Sequence, residues 1–279
     1  MGSTGRWSAD GEAPVLVWSR RGRAAAWGVA GFLILVIYIV PLAVIAAASV
    51  AGQWNGVWPS HFGLMNYANA LGGEPGAALR ASLLTGIGAS AIALVAGTWA
   101  ALALRDMAWL PRRILDFVFF MPSAVPSVSI GLGLLVAFSR PPVLLNGTTA
   151  IVIIAHLVLV SAFTYGAVTA GLMQLPRDYE QIAESLGAKP FYRLRRITLP
   201  LILPYLAAAF SLSFALSMGE LGATAMVYPP GWVTTPVSIF GLTDRGDIFE
   251  AAALTMLLIG ATLAALLLLS RLSGRAAAR

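Results

Sequence analysis

Glu220 is the one carboxylate set well inside an apolar segment, in Met218-Gly219-Glu220-Leu221-Gly222-Ala223-Thr224. An ionisable group at that depth is costly, so it must face the interior of a bundle and have a partner or a task. Two roles fit equally: a gate at the mouth of a pore, or a buried acid tying spans together by hydrogen bonds. Counting from Pro204 places it about 24 Å from the inner membrane surface. The flanking glycines permit close backbone approach or a break in the helix. The other acids fall in loops or at interfaces. His61 and His156 are solitary, and His156 reads as a packed hydrogen-bonder. No His-Glu-x-x-His, nucleophile elbow or Ser/His/Asp set is present, and the single lysine, Lys189, follows no glycine-rich phosphate loop. Without cysteine, neither a disulfide nor a thiolate metal site can form. No catalytic residue, metal or cofactor is therefore expected. A single buried acid is little material for a proton or sodium relay, so uphill transport would draw its energy from a separate ATPase.

A second cluster of polar residues has a mechanical use. Arg177-Asp178-Tyr179-Glu180 can open a helix whose acids suit the N-terminal dipole. Ile182, Ala183 and Leu186 follow at helical spacing, and Gly187 ends or bends the helix. Pro190 opens a second short helix through Phe191, Leu194 and Ile197, and Leu199-Pro200 re-enters the membrane. The spacing predicts a helical hairpin between two apolar runs, suited to docking a soluble partner.

The elements that position these residues are membrane spans. Hydrophobic side chains make up 58% of the chain and charged ones 11%, too apolar for an ordinary soluble domain. Six apolar runs, at 24–50, 79–104, 114–138, 149–173, 201–227 and 250–270, each approach the roughly 20 residues a spanning helix needs. The fold class is thus an all-α membrane protein with six transmembrane helices. Residues 1–23 and 271–279 form tails, and 24–270 form the transmembrane domain. An even number of spans puts both ends on one side. That side holds fifteen of the 18 basic residues, Arg105, Arg112, Arg177 and Arg193 among them, and the other holds Arg80, Arg140 and Arg245. Positive residues stay cytoplasmic, so both termini are inside. The net charge of +6 reflects topology and contact with membrane lipid, not nucleic acid. The first run exceeds a secretory h-region and carries Pro41, so it reads as an uncleaved helix. Trp27 and Trp109 fall near the inner interface, Trp54 and Trp232 near the outer one. Pro122 and Pro126 break the third run, which is tolerated in lipid only against protein or a water-filled cavity. Small residues in the second and third runs suit close helix packing.

The hairpin resembles the Glu-Ala-Ala loop of ATP-binding-cassette importer permeases, whose pattern runs Glu-Ala-Ala, three residues, Gly, nine residues, Ile-x-Leu-Pro. Gln181-Ile182-Ala183 stands at the Glu-Ala-Ala position, Gly187 at the glycine, and Ile197-Thr198-Leu199-Pro200 at the end. The first two positions depart from the pattern, and the neighbouring Glu180 can supply the acid. Met121-Pro122 with Pro126 and Gly131 resembles the third helix of molybdate and sulfate permeases. Gly219-Glu220-Leu221-Gly222-Ala223-Thr224 resembles their Gly-Glu-Phe-Gly-Ala-Thr motif. Met226 to Trp232, Pro236 and Leu242-Thr243-Asp244-Arg245-Gly246 look most like the 2-aminoethylphosphonate permeases. The likeness covers most of residues 79–270.

The resemblance implies a type I importer permease in a bacterial inner membrane, with the hairpin as coupling helix. Glu180, Gln181, Ile182, Ala183, Leu186, Gly187, Ile197, Leu199 and Pro200 would dock the ATPase. Pro122, Pro126, Gly219, Glu220, Gly222 and Thr224 would line the pathway or gate. Implied partners are ATPase subunits, which bind the ATP, a second permease, identical or paralogous, and an external solute-binding protein. A phosphonate such as 2-aminoethylphosphonate is the expected solute; molybdate, sulfate, iron(III) or a polyamine are alternatives. An ion-coupled secondary transporter would need more buried ionisable groups or an internal repeat, and a membrane enzyme would need a catalytic set.

Overall fold

The computed structural model of the protein describes residues 20–277, with side-chain surroundings from 22 to 271. Residues 1–19 of the expected N-terminal tail lie outside the described residues. The chain divides into two compact units, Met1–Ala47 and Ala48–Arg279.

The first unit holds most of α1 (Gly22–Val50), long and apolar enough to cross a membrane. Within it Leu35–Ile39 form a single π turn, and the Val40 N–H reaches back to the Leu35 carbonyl. Pro41 explains the widening: it has no N–H, and its ring crowds the carbonyl four residues earlier.

In the second unit, α2 (Met65–Leu71) leads into α3 (Gly73–Arg105). At 33 residues, α3 is about 50 Å long, ample for a bilayer. Its buried stripe is made of small residues: Ala81, Thr85, Ala89, Ala93, Gly97 and Ala101, with large Leu84, Ile87, Val95 and Trp99 exposed on other faces. Lipid is as apolar as leucine, so helices in it associate through close backbone packing of small residues. A Cβ at Gly97 would lie 3.3 Å from Thr164 and from the Tyr165 backbone. Those residues belong to α6 (Thr149–Gln174), which runs beside α3.

Between them, α4 (Trp109–Phe120) passes through a 3-10 turn at Met121–Ala124 into α5 (Ser127–Ala137). The two limbs bend by 105°, so the expected proline break is present. After α6 come α7 (Asp178–Ser185) and α8 (Pro190–Leu201), the latter bent by 66° from α9 (Leu203–Met218). The fifth run does not continue to 227 as one helix. It stops at Met218, and a separate α10 (Gly222–Val227) follows. The glycines at 219 and 222 permit the interruption. Finally α11 (Thr235–Asp244) precedes α12 (Ile248–Ala277), so the helix continues through most of the expected C-terminal tail. Four helices among the described residues are long and apolar enough to cross a membrane, and six if each bent pair counts as one span.

Among the described residues the second unit has three apolar centres. One joins α3, α6 and the start of α9 through Leu104, Tyr165, Leu172 and Ile202. Another joins α2, α11 and α12. The third seats α10 on α6 through Ile151, Ala155, Ala223 and Val227, with Trp232 packed against it. Trp232 is held against α3, its Nε1–H donating to Thr85 Oγ1 at 2.9 Å.

Candidate functional site

The hairpin forms as its residues dictate. Asp178 and Glu180 lie in the first turn of α7, where carboxylates suit the helix dipole. At its far end Gly187 adopts φ +82°. The Gly187 N–H donates to the Glu184 carbonyl and the Ala188 N–H to the Ala183 carbonyl, each at 2.9 Å. This pair of bonds is the Schellman ending, which glycine adopts without Cβ strain. Pro190 occupies the first turn of α8, and Leu194–Thr198 widen into a π turn just ahead of Pro200. The same arrangement precedes Pro41. Arg193 closes the hairpin, its guanidinium 2.7 Å from the Glu184 carboxylate.

Glu180 turns back toward the bundle. Its Oε1 accepts from Arg105 at 2.9 Å and from the Thr198 hydroxyl at 2.6 Å. One carboxylate oxygen thus ties the end of α3 to both limbs of the hairpin. Partial burial alone would raise its pKa. The Thr198 and Arg105 hydrogen bonds, with the positive charges of Arg105 and Arg193, outweigh that and hold the carboxyl below the usual glutamate value. Arg177 adds a solvent-exposed pair with Asp106 at 3.3 Å, worth little by itself.

The residues singled out from sequence divide by direction. Ile182 and Leu186 are exposed, Leu186 at 82%, and Tyr179 lies on the same face of α7. Phe191 and Tyr192 expose further apolar surface from α8. Ala183, Leu186 and Gly187 line one shallow hollow with Tyr192. Gln181 sits at the hairpin base beside Glu180, Arg105 and Thr198. Ile197 is half-buried and Pro200 exposed. Leu199 packs against the core formed with Ile202, so it anchors the hairpin. Sequence reasoning missed Arg105 and Thr198 as partners of Glu180, and Tyr179 and Tyr192 as part of the exposed surface.

The broken helices come together elsewhere. Pro122, Ser127, His156, Ser217 and Glu220 line a cleft of about 120 Å³. His156 is buried, its Nδ1 2.6 Å from Ser217 Oγ and its Nε2 2.8 Å from Thr224 Oγ1. It staples the two sides of the interruption between α9 and α10, and both ring nitrogens are occupied. Thr224 is fully buried in that contact. The Glu220 Oε1 accepts the Ala223 N–H at 2.6 Å, capping α10. Gly219 is the residue at which α9 ends. A Cβ at Gly222 would collide with Ser127 Oγ, and one at Gly131 would lie 2.7 Å from the Ala223 carbonyl oxygen. α10 therefore lies directly on α5. Pro126 is the residue from which α5 starts. Among the described residues, no three His, Cys, Asp or Glu side chains are grouped to hold a metal ion.

The family described as "Binding-protein-dependent transport system inner membrane component" matches residues 93–279. A Salmonella paratyphi A protein named "Putative 2-aminoethylphosphonate transport system permease protein PhnV" is 53% identical over 261 residues, 94% of this chain and 98% of that protein. The Haemophilus influenzae Fe(3+)-transport system permease protein FbpB 2 is 30% identical over 181 residues, 63% of this chain and 35% of that one. Among solved structures, a bacterial alginate ABC transporter in complex with alginate pentasaccharide-bound periplasmic protein aligns with a TM-score of 0.73. That alignment has 17% identity and covers 92% of this chain and 96% of the matched one, which speaks for the fold.

Proposed function

We infer the function from one premise: the chain belongs to the family of binding-protein-dependent transport system inner membrane components. It is a multi-pass permease of an ABC importer. On our reading it makes six crossings, counting each bent pair as one, with both termini cytoplasmic. Two permeases, identical or paralogous, enclose the pathway, two ATPases sit beneath, and an external binding protein delivers the solute. The solute is a phosphonate such as 2-aminoethylphosphonate, supported by the 53% identity over nearly the full length of the Salmonella relative.

The observation that carries the mechanism is the hairpin at 178–201. It presents Tyr179, Ile182 and Leu186 outward while Glu180 ties its base to Arg105. Exposed apolar side chains on an otherwise polar element mark a docking surface. ATP binding closes the ATPase pair and draws the two hairpins together, and the tether passes that movement to α3. The bundle then rocks outward-open, and hydrolysis resets it. The permease makes and breaks no covalent bond.

Reconstitution of the permease with its ATPase and binding protein tests both parts. ATP-dependent accumulation of 2-aminoethylphosphonate is expected, and its absence from an intact complex would reject that solute. Leu186→Asp should abolish co-purification of the ATPase while membrane insertion persists. Undiminished co-purification would sink the docking surface.

A further inference from the structure

A cavity of the second unit lies at the opposite end of α3 from the hairpin. It measures about 610 Å³ and is lined by Glu74, Arg80, Tyr228, Trp232, Ser238 and Arg245, among others. That volume lies within the ~300–1,000 Å³ usual for small-molecule sites. Of the three basic residues assigned to the side opposite the hairpin, Arg80 and Arg245 both line the cavity.

Their pairing is weak. Arg80 has no ion-pair partner among the described residues, and Arg245 has only an exposed contact with Asp247 at 4.0 Å. Arg80 stands about 10 Å along α3 from Gly73. All three charged side chains of the cavity, Glu74, Arg80 and Arg245, are exposed, so they can meet a solute that arrives from this side. The cavity wall is built and not incidental. The Thr235 N–H donates to Ser82 Oγ at 2.7 Å and Trp232 Nε1–H to Thr85 Oγ1 at 2.9 Å. These two bonds fasten the segment after α10 onto α3 within about one and a half turns of Arg80.

We propose that this cavity receives the solute on its way into the pathway. Arg80 and Arg245 bind a phosphoryl-type dianion, and Glu74 takes an ammonium group on the same molecule. Guanidinium suits this task because its fixed N–H fork matches phosphoryl oxygens in pairs. Two cations and one carboxylate leave the cavity net positive, and the single acid beside aromatic side chains suits a small zwitterion. The assignment rests on the transport reading above for its orientation, yet its chemistry can be tested separately.

The permease–ATPase complex in nanodiscs, without binding protein, is titrated with 2-aminoethylphosphonate and with ethylphosphonate, which lacks the amine. Saturable binding of both is expected. Arg80→Gln and Arg245→Gln should each weaken both ligands at least about tenfold, with partial recovery in Arg80→Lys. Glu74→Gln should weaken 2-aminoethylphosphonate and leave ethylphosphonate unchanged. ATPase co-purification serves as the folding control. Affinities within twofold of wild type in both arginine variants would overturn the site. A lipid headgroup carries the same phosphate chemistry. If the arginine variants instead shed co-purified phosphatidylglycerol and phosphonate binding stays unchanged, the cavity is a lipid site and the proposal fails. Should wild type bind both phosphonates through these arginines yet accumulate neither when binding protein and ATP are supplied, the transported solute is wrong and the anion site stands.

Discussion

Glu180 and Arg105, 75 residues apart in sequence, meet at 2.9 Å and join the hairpin to the end of the 33-residue α3. The side chains are 24% and 12% exposed, so the pair is partly sheltered from solvent screening. Glu180→Gln keeps an oxygen for the Thr198 hydroxyl but removes the charge facing Arg105. ATP hydrolysis by the assembled complex is expected to persist while solute uptake falls several-fold. Uptake and hydrolysis that fall in proportion would show that the pair does not couple the two.

The same pair sets a pH dependence. Because the folded carboxyl has a lowered pKa, its contribution to stability is fully present above the unfolded glutamate value of about 4.3. It is lost as pH falls through the lower, folded value. Thermal unfolding of wild type and Glu180→Gln in detergent should therefore differ by a constant amount from pH 6 to 8. The gap should close only below roughly pH 4. A gap that closed between pH 6 and 7 would contradict the direction of the shift.

Gly187 has φ +82°, and a Cβ there would meet no atom within 4 Å. A substitution is therefore strained by backbone conformation alone, at about 1–2 kcal/mol for an ordinary residue. Gly187→Val should lose ATPase association, while Gly187→Asn, which tolerates the left-handed region, should retain most of it. Equal co-purification of the ATPase with both variants would remove the turn from the docking mechanism.

Much of this was legible in sequence because lipid imposes coarse rules. Six apolar runs, the proline break at 122–126 and the hairpin punctuated by Gly187 and Pro190 all follow from local chemistry. Where α9 ends was less legible: glycines at 219 and 222 allow a break, but the staple of His156 to Ser217 and Thr224 that holds it spans 61 and 68 residues. Glu180 was expected to face a partner because a carboxylate beside the motif looks available. Its engagement by Arg105 and Thr198 is tertiary and leaves no local period. Leu199 belongs to the motif yet packs inward, because the π turn before Pro200 rotates it onto the core beside Ile202.

Two glycines on α5 offer an internal control. At Gly131 an added Cβ would press on the Ala223 carbonyl oxygen at 2.7 Å and its Cα at 2.8 Å, whereas at Gly133 it would meet nothing within 4 Å. Gly131→Ala should destabilise the protein by about 1–3 kcal/mol through forced separation of α5 and α10. Gly133→Ala should be neutral or slightly stabilising. Equal melting temperatures for the two variants would mean that α10 does not sit on α5 as described.

Glu220 is half-buried and uses one carboxylate oxygen to cap α10 at Ala223. A cap needs an acceptor, not a charge, and glutamine presents a carbonyl oxygen at nearly the same position. Glu220→Gln is therefore expected to keep both stability and uptake near wild type. Glu220→Ala removes the acceptor and should cost about 1 kcal/mol, the usual loss at a helix cap, with a fall in uptake as α10 frays. The comparison separates the two roles open to this acid. A gate working through negative charge would fail equally in both variants, with melting temperatures little changed in Glu220→Gln. Uptake measured beside thermal unfolding for the pair distinguishes them, and equal loss of uptake in Glu220→Gln would refute the cap as its main task.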